Sequence, residues 1–436
     1  MDSINLRKIF DETCVRHGIL VLLWLEFVWE TYLSIRQFKK AKAATEVPDV
    51  LKKVMDKDEF EKARQYSLAK LKFGFIKDTH GIILTTIIIY YGFLAYAWDY
   101  ADFINPVKGE VTNSCIWLFI VSLVSTIIDL PLTIYHTFVL EEKFGFNKQT
   151  AGFFVWDKIK AFLVNQIITL MISSVIIVII KSGGPYFFIW LWLVVCIISM
   201  LLLTIYPAVI APLFDKYTPL PEGELRTEIE SLASQLKFPL TQLYVVEGSK
   251  RSSHSNAYFY GLFKSKRIVL FDTLLAKDDG TGCQNDEILA VLSHELGHWS
   301  YSHIIKNLIL MQINLFLLFL GFSILFKYPP LYEALGFHSV RPVLVGLFVV
   351  CSYVMIPYNT MLSFLMTCLS RRFEFQADHF AVKLGKAEPL ERALLQLNKD
   401  NLGFPINDNL YSAWHHSHPP LLERISVLRQ SAVKTK

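Results

Sequence analysis

Seven long apolar stretches constrain the fold of this chain more than any other feature of its sequence. They run from 18 to 35, 80 to 98, 114 to 138, 161 to 180, 186 to 210, 307 to 326 and 343 to 366. A helix of about 20 apolar residues is long enough to cross the hydrocarbon core of a bilayer. A mean hydropathy of +0.37 with only 19% charged residues is also unusual for a soluble enzyme. The sequence therefore predicts an integral membrane protein with seven spanning helices.

Lysine and arginine are distributed unevenly between the segments that join these stretches. Of the 43 lysines and arginines, 36 fall in the segments 36–79, 139–160, 211–306 and 367–436. Because basic residues are retained on the cytosolic side of a membrane, these four segments are predicted to be cytosolic and the N-terminus lumenal. The net charge of +4 is small, and no basic run is interleaved with stacking aromatic residues. We therefore expect no nucleic-acid partner.

The hydrophilic segments divide the chain into four expected parts. Residues 1–210 carry spans one to five, 211–306 form a soluble catalytic insert, 307–366 carry spans six and seven, and 367–436 complete the catalytic domain. Within the insert, TQLYVVEG, SNAYFYGLFKSKR and KRIVLFDT are rich in β-branched and aromatic residues and predict short strands and a turn. A helix is expected over 285–303, and another over SRRFEFQADHFAVKLG after the last span.

The residues His294, Glu295 and His298 spell the motif H-E-x-x-H within the helix expected over 285–303. Residues four apart lie one turn apart on one helix face, so both imidazoles can reach one metal ion while Glu295 stands beside it. A glutamate in that place can take the proton of a zinc-activated water. The motif therefore predicts the centre of a zinc protease. The alternative is a cytosolic helix whose histidines are merely solvated or capped.

A third protein ligand is expected for catalytic zinc, and Glu374 fits that role. It lies in SRRFEFQADHFA, where Asp378 follows four residues later on the same helix face. One carboxylate can then bind the metal while the other orients a ligand histidine. This arrangement predicts one Zn²⁺ per chain. The alternative is that both carboxylates pair with Arg371 and Arg372 at the surface.

Three further histidines near these motifs receive no role. On a continuous helix, His303 points off the ligand face because it follows His298 by five residues. His415 and His416 are typical of the polar residues that precede a helix.

Acidic residues also lie within the apolar stretches, and these are Glu26, Glu30 and Asp129. Charged side chains in lipid are costly, so they are expected to face a hydrated interior or a partner. The alternative is a position near the membrane interface.

Five runs of residues resemble a known protease family. They are SKRSSHSNAYFYGLFKSKRIVLFDTLL, LAVLSHELGHW, RRFEFQADHFA, NLYSAWHHSHPPLLERI and EEKFGFNKQT. Together they are far more specific than H-E-x-x-H, and the similarity covers nearly the whole chain. The sequence resembles the CaaX prenyl proteases of the Ste24 type, in peptidase family M48.

The resemblance implies a role for each matching residue. His294, His298 and Glu374 would hold the zinc ion, and Glu295 would act as general base and acid. Asp378, supported by Arg424, would orient a ligand histidine. His418 would stabilise the tetrahedral intermediate, and Asn256 and Ala257 would contact the substrate at a strand edge.

The resemblance also implies a fold and an activity. The fold would be mainly α, with seven transmembrane helices forming a barrel around a large chamber and an α+β zincin domain of the gluzincin type capping it in the cytosol. The activity would be removal of the C-terminal tripeptide from prenylated CaaX proteins, with a second cleavage on the N-terminal side of some substrates. The partners would be the prenylated substrate and the bilayer, without a required oligomer. The location would be the endoplasmic reticulum membrane, with the inner nuclear membrane as a second site.

Two other functions are weighed against this one. A membrane-protein quality-control protease of the HtpX type shares the motif, but that group is shorter and has fewer spans. A seven-span receptor or transporter with incidental histidines belongs to another class, and it should hold no stoichiometric metal.

Overall fold

Long helices dominate the computed structural model, which describes residues 11–261, 266–278 and 280–435. The first part of the chain is wholly helical. Its elements are α1 (Glu12–Ala43), α2 (Lys57–Tyr91), α3 (Phe93–Ile104), α4 (Glu110–Phe144), α5 (Ala151–Ser182) and α6 (Gly184–Leu213). Between α1 and α2, Asp56 and Glu59 form a capping box that begins α2, because each side chain accepts a hydrogen bond from the other's backbone N–H.

A small α+β unit follows the sixth of these helices. Its elements are β1 (Tyr217–Pro219), α7 (Glu224–Gln235), β2 (Leu240–Val246), β3 (Ala257–Tyr260), β4 (Lys266–Phe271) and α8 (Asn285–Ser300). The strands are arranged in the order β1-β2-β4-β3 within the described residues. Strand β2 is parallel to β4, and the other two pairs are antiparallel. The turn predicted around 262–265 lies outside the described residues.

The chain then returns to long helices and ends in a helical tail. The elements are α9 (His303–Leu325), α10 (Pro329–Glu333), α11 (Val343–Val354), α12 (Ile356–Lys383), α13 (Ala387–Asp400), α14 (Asn409–His415) and α15 (Leu421–Thr435). Across the described ranges, six helices are long and apolar enough to cross a membrane. They are α1, α2, α4, α5, α6 and α9, and the bent pair of α11 and α12 makes a seventh if it counts as one span.

Two of the predicted spans differ from the structure. The span predicted over 80–98 is divided at Gly92, whose φ of +67° ends α2 and begins α3. A Cβ atom at Gly92 would lie 3.3 Å from the carbonyl oxygen of Leu335, so the break is also a close packing contact. The span predicted over 343–366 is bent by 61° between α11 and α12.

The part of α12 that follows the bend reaches the predicted active site. This helix continues to Lys383, well beyond the predicted end of the span at 366. It therefore connects the membrane part of the chain to the α+β unit. Helix α12 packs along α8, the tail helix α13 packs against both, and α15 packs against α12 and α13.

Two main apolar cores hold the molecule together. One lies among the membrane helices and includes Trp98, Phe322 and Tyr332. The other fills the space between the sheet, α7 and α8, and includes Ile229, Ile268 and Leu292. The mainly helical architecture with a small sheet is the one expected from the sequence. The second core is what positions the H-E-x-x-H helix.

Candidate active site

Helix α8 carries the H-E-x-x-H motif and is fixed between the sheet and α12. Its start is closed by a capping box between Gln284 and Glu287, which satisfies backbone N–H groups of the first turn. One face of the helix packs in the sheet core through Ile288, Leu289, Leu292 and Leu296. With a period of 3.6 residues per turn, His294 and His298 then lie on the opposite face.

The face of α8 with the two histidines approaches α12 closely. The contact is made at Gly297, where a Cβ atom would lie 3.0 Å from Cα of Ala377. Only a residue without a side chain fits this approach without displacing a neighbour. The contact brings Glu374 and Asp378, on the facing side of α12, next to the histidines.

Three side chains converge at the centre of this interface. Glu374 Oε1 lies 3.2 Å from His298 Nε2, and Glu374 Oε2 lies 3.5 Å from His294 Nε2. The two Nε2 atoms are 3.2 Å apart. Both His294 and Glu374 are buried, and the three potential ligand atoms lie within 4.8 Å of one another.

The chemistry of these groups fits a divalent cation. His294 Nδ1 lies 2.9 Å from Asp378 Oδ1, so that nitrogen carries the ring proton and Nε2 presents a lone pair. Glu374 Oε2 is buried and has no aligned hydrogen-bond donor among the described residues. The lone pair of His294 Nε2 and the buried oxygen Oε2 of Glu374 face one another, and no hydrogen-bond donor from the described part of the chain lies between them. A cation between these two atoms would stabilise both.

Electrostatics in the pocket agree with that conclusion. Burial lowers the pKa of His294, but hydrogen bonding with Asp378 and Glu374 outweighs burial and raises the pKa to about 9. A pocket that stabilises a proton on a buried imidazole stabilises positive charge at that place. A metal ion bound between the three side chains would supply the same positive charge in place of that proton.

A buried pair supports His294 from behind. Arg424 donates from Nη2 to Asp378 Oδ1 at 2.6 Å and from Nε to Oδ2 at 2.9 Å. Burial lowers the pKa of Arg424, but the hydrogen bonds with Asp378 reverse the direction and raise it. The guanidinium therefore stays charged and keeps Asp378 ionised. An ionised Asp378 can accept the hydrogen bond that His294 donates from Nδ1.

The glutamate of the motif stands beside the three converging groups. Burial is the largest cause of the raised pKa of Glu295, the neighbouring His294 and His298 oppose the rise, and the Glu374 carboxylate adds to it. A carboxylate with a raised pKa accepts protons more readily than an exposed glutamate. The position and the basicity of Glu295 therefore suit proton transfer rather than a structural ion pair.

At the open side of the site lies His418, on the segment between α14 and α15. Its Nδ1 is 2.8 Å from Glu374 Oε2, although the contact lacks the alignment of a hydrogen bond. The side chain is 69% exposed, whereas Glu374 is buried. His418 can therefore meet a molecule that enters from outside while touching the carboxylate at the centre.

Asn256 and Ala257 lie where the edge strand β3 begins. Phe271 N–H donates to the carbonyl of Asn256 at 3.1 Å, so the backbone polar groups of Asn256 point toward β4. In an antiparallel pair the next residue presents its N–H and C=O to the other side. Ala257 therefore faces the edge away from β4, and its N–H donates to the side-chain Oδ1 of Asn256 at 2.8 Å.

One residue in the site differs from the expectation drawn from sequence. His303 is not turned away from the motif, since its Nδ1 lies 2.9 Å from Nδ1 of His298. The helix that was expected to run to 303 ends at Ser300, and Ser302 adopts a φ of +56°. This break returns the chain toward α8. The spacing of the histidines alone gives no signal for it.

Two acidic residues of α1 have polar partners rather than a lipid environment. Glu26 Oε1 accepts a hydrogen bond from Thr360 at 3.2 Å. Glu30 accepts one from Trp414 Nε1 at 2.8 Å and lies 3.2 Å from His415 Nε2. Both therefore face other parts of the protein, as expected for charged groups within a span. Asp129 is exposed on α4.

Two family models cover almost the whole chain. Residues 37–216 match the family described as CAAX prenyl protease N-terminal, five membrane helices, and residues 219–432 match peptidase family M48. The matched families describe a membrane metalloprotease. They exclude the receptor or transporter alternative.

Individual proteins extend this similarity over nearly the full length. The chain is 48% identical to the human CAAX prenyl protease 1 homolog, with 94% of each chain covered. It is 38% identical to CAAX prenyl protease 1 of Saccharomyces cerevisiae, again with 94% of each chain covered. The crystal structure of S. mikatae Ste24p matches with a TM-score of 0.90 and 38% identity, covering 95% of this chain and 99% of that one.

These similarities confirm the family and the fold expected from the sequence, and they favour that family over the shorter quality-control proteases. They also identify the protein as an enzyme with a metal centre that is embedded in a membrane by several helices. The chain belongs to the CAAX prenyl protease group of peptidase family M48.

Proposed function

We propose that this chain is a zinc endopeptidase that removes the C-terminal tripeptide from prenylated CaaX proteins at the endoplasmic reticulum membrane. The observation that carries the proposal is the convergence of His294, His298 and Glu374 within 4.8 Å in a chain of the CAAX prenyl protease group. Two imidazoles and one carboxylate, with a position left open, form the usual protein ligand set of catalytic zinc in peptidases.

The residues around this set have separate tasks. Zinc held by the three ligands would polarise the scissile carbonyl and acidify a water molecule. Glu295 takes the proton of the attacking water and passes it to the leaving amine. His418, exposed and in contact with Glu374, donates to the oxyanion, a contribution of about 3 kcal/mol at comparable sites.

Substrate is held at the edge of the sheet in this proposal. The carbonyl of Ala257 points away from β4 and can accept a hydrogen bond from an extended peptide, as in other cases of strand addition. The carbonyl of Asn256 is already bonded to Phe271, so Asn256 contributes through its exposed side chain. A peptide bound along β3 would lie next to α8 and its motif.

The membrane helices supply the environment for the lipid. We propose that they surround a chamber and that the isoprenoid is bound among apolar side chains. Burial of an isoprenoid contributes roughly 0.8 kcal/mol per methylene-sized unit. The prenyl group therefore strengthens binding of a peptide that makes few other contacts. The proposal includes a second location, the inner nuclear membrane. It also includes a second cleavage on the N-terminal side of some substrates.

Cleavage of a defined peptide tests the proposal. Purified protein is given one CaaX peptide with and without farnesyl in the same detergent, kcat/KM is measured, and the cut is mapped by mass spectrometry. We expect release of the last three residues and a higher kcat/KM for the farnesylated peptide. Protein carrying Glu295→Gln is the matched control for a contaminating protease. Equal kcat/KM values, or cuts scattered along the peptide, would favour a quality-control protease instead.

A further inference from the structure

The two ligand histidines of the motif are supported in different ways. Behind His294 stands the charged pair of Asp378 and Arg424. Behind His298 stands another imidazole, His303, with 2.9 Å between their Nδ1 atoms. A contact of this length between two ring nitrogens is a hydrogen bond only when one nitrogen carries a proton and the other presents a lone pair.

The far side of His303 decides which nitrogen carries that proton. Its Nε2 lies 2.9 Å from Oε1 of Gln376, and a carbonyl oxygen can only accept. His303 Nε2 therefore donates to Gln376, and His303 Nδ1 is left with a lone pair. That lone pair accepts the Nδ1 proton of His298, which leaves His298 Nε2 with its own lone pair toward Glu374, at 3.2 Å.

We propose that Gln376 and His303 form a relay of hydrogen bonds that fixes His298 in the tautomer that binds metal. The relay runs from His298 Nδ1–H to His303 Nδ1 and from His303 Nε2–H to Gln376 Oε1. Both are positioning residues, because they act through His298 and neither belongs to the group of three converging ligand side chains. The inference rests on the proposed metal site and adds the residues that orient its second histidine.

The structure holds this relay rigidly. His303 as a residue is 2% exposed, and its ring stacks on Phe373, with ring centroids 3.9 Å apart and an angle of 9° between the planes. Stacking of this kind fixes the plane of the imidazole, and so the directions of its two nitrogens. Phe373 and Gln376 both belong to α12, next to Glu374. One helix therefore supplies a proposed metal ligand and the two residues that orient His303.

The relay also explains the break after α8. Had α8 continued through 303, the side chain would have pointed away from His298, because five residues correspond to about 500° of helical rotation. The positive φ of Ser302, at 56°, is uncommon and unfavourable for a residue with a side chain. The break places His303 at the first position of α9, behind the ligand.

Paired variants separate hydrogen-bond acceptance from packing. His303→Asn places an oxygen where Nδ1 stands, and His303→Leu has nearly the same shape without an acceptor. Gln376→Glu keeps the acceptor, whereas Gln376→Met keeps the length without one. Each full-length protein is purified in detergent and stripped of metal. Its Kd for zinc is measured by competition with a chromogenic chelator, and the unfolding midpoint of the metal-free form is recorded.

We expect His303→Leu to raise the zinc Kd by about 10- to 100-fold, the usual effect of losing an outer-shell partner of a ligand histidine. His303→Asn and Gln376→Glu should remain within about threefold of the wild type, and Gln376→Met should weaken binding. Unchanged unfolding midpoints would assign the difference to metal binding. Equal Kd values for the two His303 variants would overturn the relay, because packing alone would then account for His303. Wild-type protein that binds no zinc would instead overturn the proposed function.

Discussion

Arg424 holds Asp378 through two hydrogen bonds, from Nη2 to Oδ1 at 2.6 Å and from Nε to Oδ2 at 2.9 Å. The same Oδ1 lies 2.9 Å from Nδ1 of His294. The carboxylate is 1% exposed and the guanidinium 11%. A carboxylate fixed in this way can accept a hydrogen bond from the histidine in one direction only. This direction sets both the tautomer and the ring orientation of His294.

The first prediction concerns this pair. Asp378→Asn removes the nearer of two carboxylates that face the buried Arg424, the other being Glu374 at 3.8 Å, and breaking a buried ion pair commonly costs about 3–5 kcal/mol. We expect a lower unfolding midpoint of the metal-free protein and a zinc Kd raised by about 10- to 100-fold. Thermal unfolding and chelator competition measure the two effects.

A surface pair provides the control for this variant. Arg429 and Glu391 also form a bidentate pair, but the arginine side chain is 52% exposed. Exposed pairs contribute about 0–1 kcal/mol, so Arg429→Gln should leave both the unfolding midpoint and the zinc Kd near wild type. Unchanged zinc affinity in Asp378→Asn would remove Asp378 from the support of His294.

The second prediction separates the motif glutamate from the ligands. In Glu295→Gln we expect one zinc per chain. The rate of peptide cleavage should fall by about 10²- to 10⁴-fold, because the amide cannot take a proton from water. Metal content by atomic spectroscopy and cleavage of the farnesylated peptide are measured on the same sample.

The ligand variants are the comparison for Glu295→Gln. We expect His294→Ala, His298→Ala and Glu374→Ala to lose both metal and activity, since a catalytic zinc site needs three protein ligands. Glu374→Ala protein with a full equivalent of zinc would show that another residue is the third ligand. Cleavage near the wild-type rate by Glu295→Gln would exclude Glu295 from proton transfer.

Local periodicity explains why the centre of the site was predictable. His294, His298, Glu374 and Asp378 lie on two helices, and each pair is four residues apart. One helical turn therefore places each pair on one face, whatever the rest of the chain does. The long apolar stretches were predictable for a similar reason, because a membrane span depends on length and composition.

The parts that sequence did not predict depend on packing between elements. Gly92 divides a predicted span because its backbone meets that of Leu335. Pro357 lies in the first turn of α12, where proline is tolerated, whereas inside a continuous helix it would remove a hydrogen bond and clash with the preceding turn, so the bend after α11 had a readable signal. The position of His303 had none. The position of His303 follows from the positive φ of Ser302, a backbone conformation that serine has no particular preference to adopt.

The third prediction uses the contact between α8 and α12. Alanine at Gly297 would gain up to about 1 kcal/mol in helix propensity, yet its Cβ would lie 3.0 Å from both Cα of Ala377 and Cβ of Phe380. Backbone cannot move as a flexible side chain does, and overpacking of this kind costs about 1–3 kcal/mol. We expect Gly297→Ala to separate the helices, weaken zinc binding and reduce activity.

Another helical glycine is the matched control. Gly81 lies within α2, and a Cβ atom there would meet nothing within 4 Å. Gly81→Ala gains the same propensity without a clash, so its unfolding midpoint should equal or exceed that of the wild type and its zinc Kd should be unchanged. Gly297→Ala protein with wild-type affinity and activity would show that the two helices tolerate a wider separation.

The fourth prediction is the orientation of the chain in the membrane. Contacts within the structure join, in two pairs, the four segments that the basic residues assign to the cytosol. Arg36 pairs with Asp408 at 3.0 Å, and Arg251 pairs with Asp157 at 2.7 Å. These pairs connect 36–79 with the tail and 211–306 with 139–160. On the opposite end of the spans, Lys181 pairs with Glu110 at 2.8 Å.

Labelling of single cysteines tests this orientation, because an impermeant maleimide reaches only the outer face of a sealed vesicle. The six native cysteines are first replaced, and one cysteine is then placed at Glu222 or at Lys108, whose side chains are 87% and 65% exposed. In vesicles with the cytosolic face outward, Glu222→Cys should react at once and Lys108→Cys only after detergent is added. The reverse pattern would place the protease site in the lumen, where a substrate prenylated in the cytosol could not reach it without crossing the bilayer.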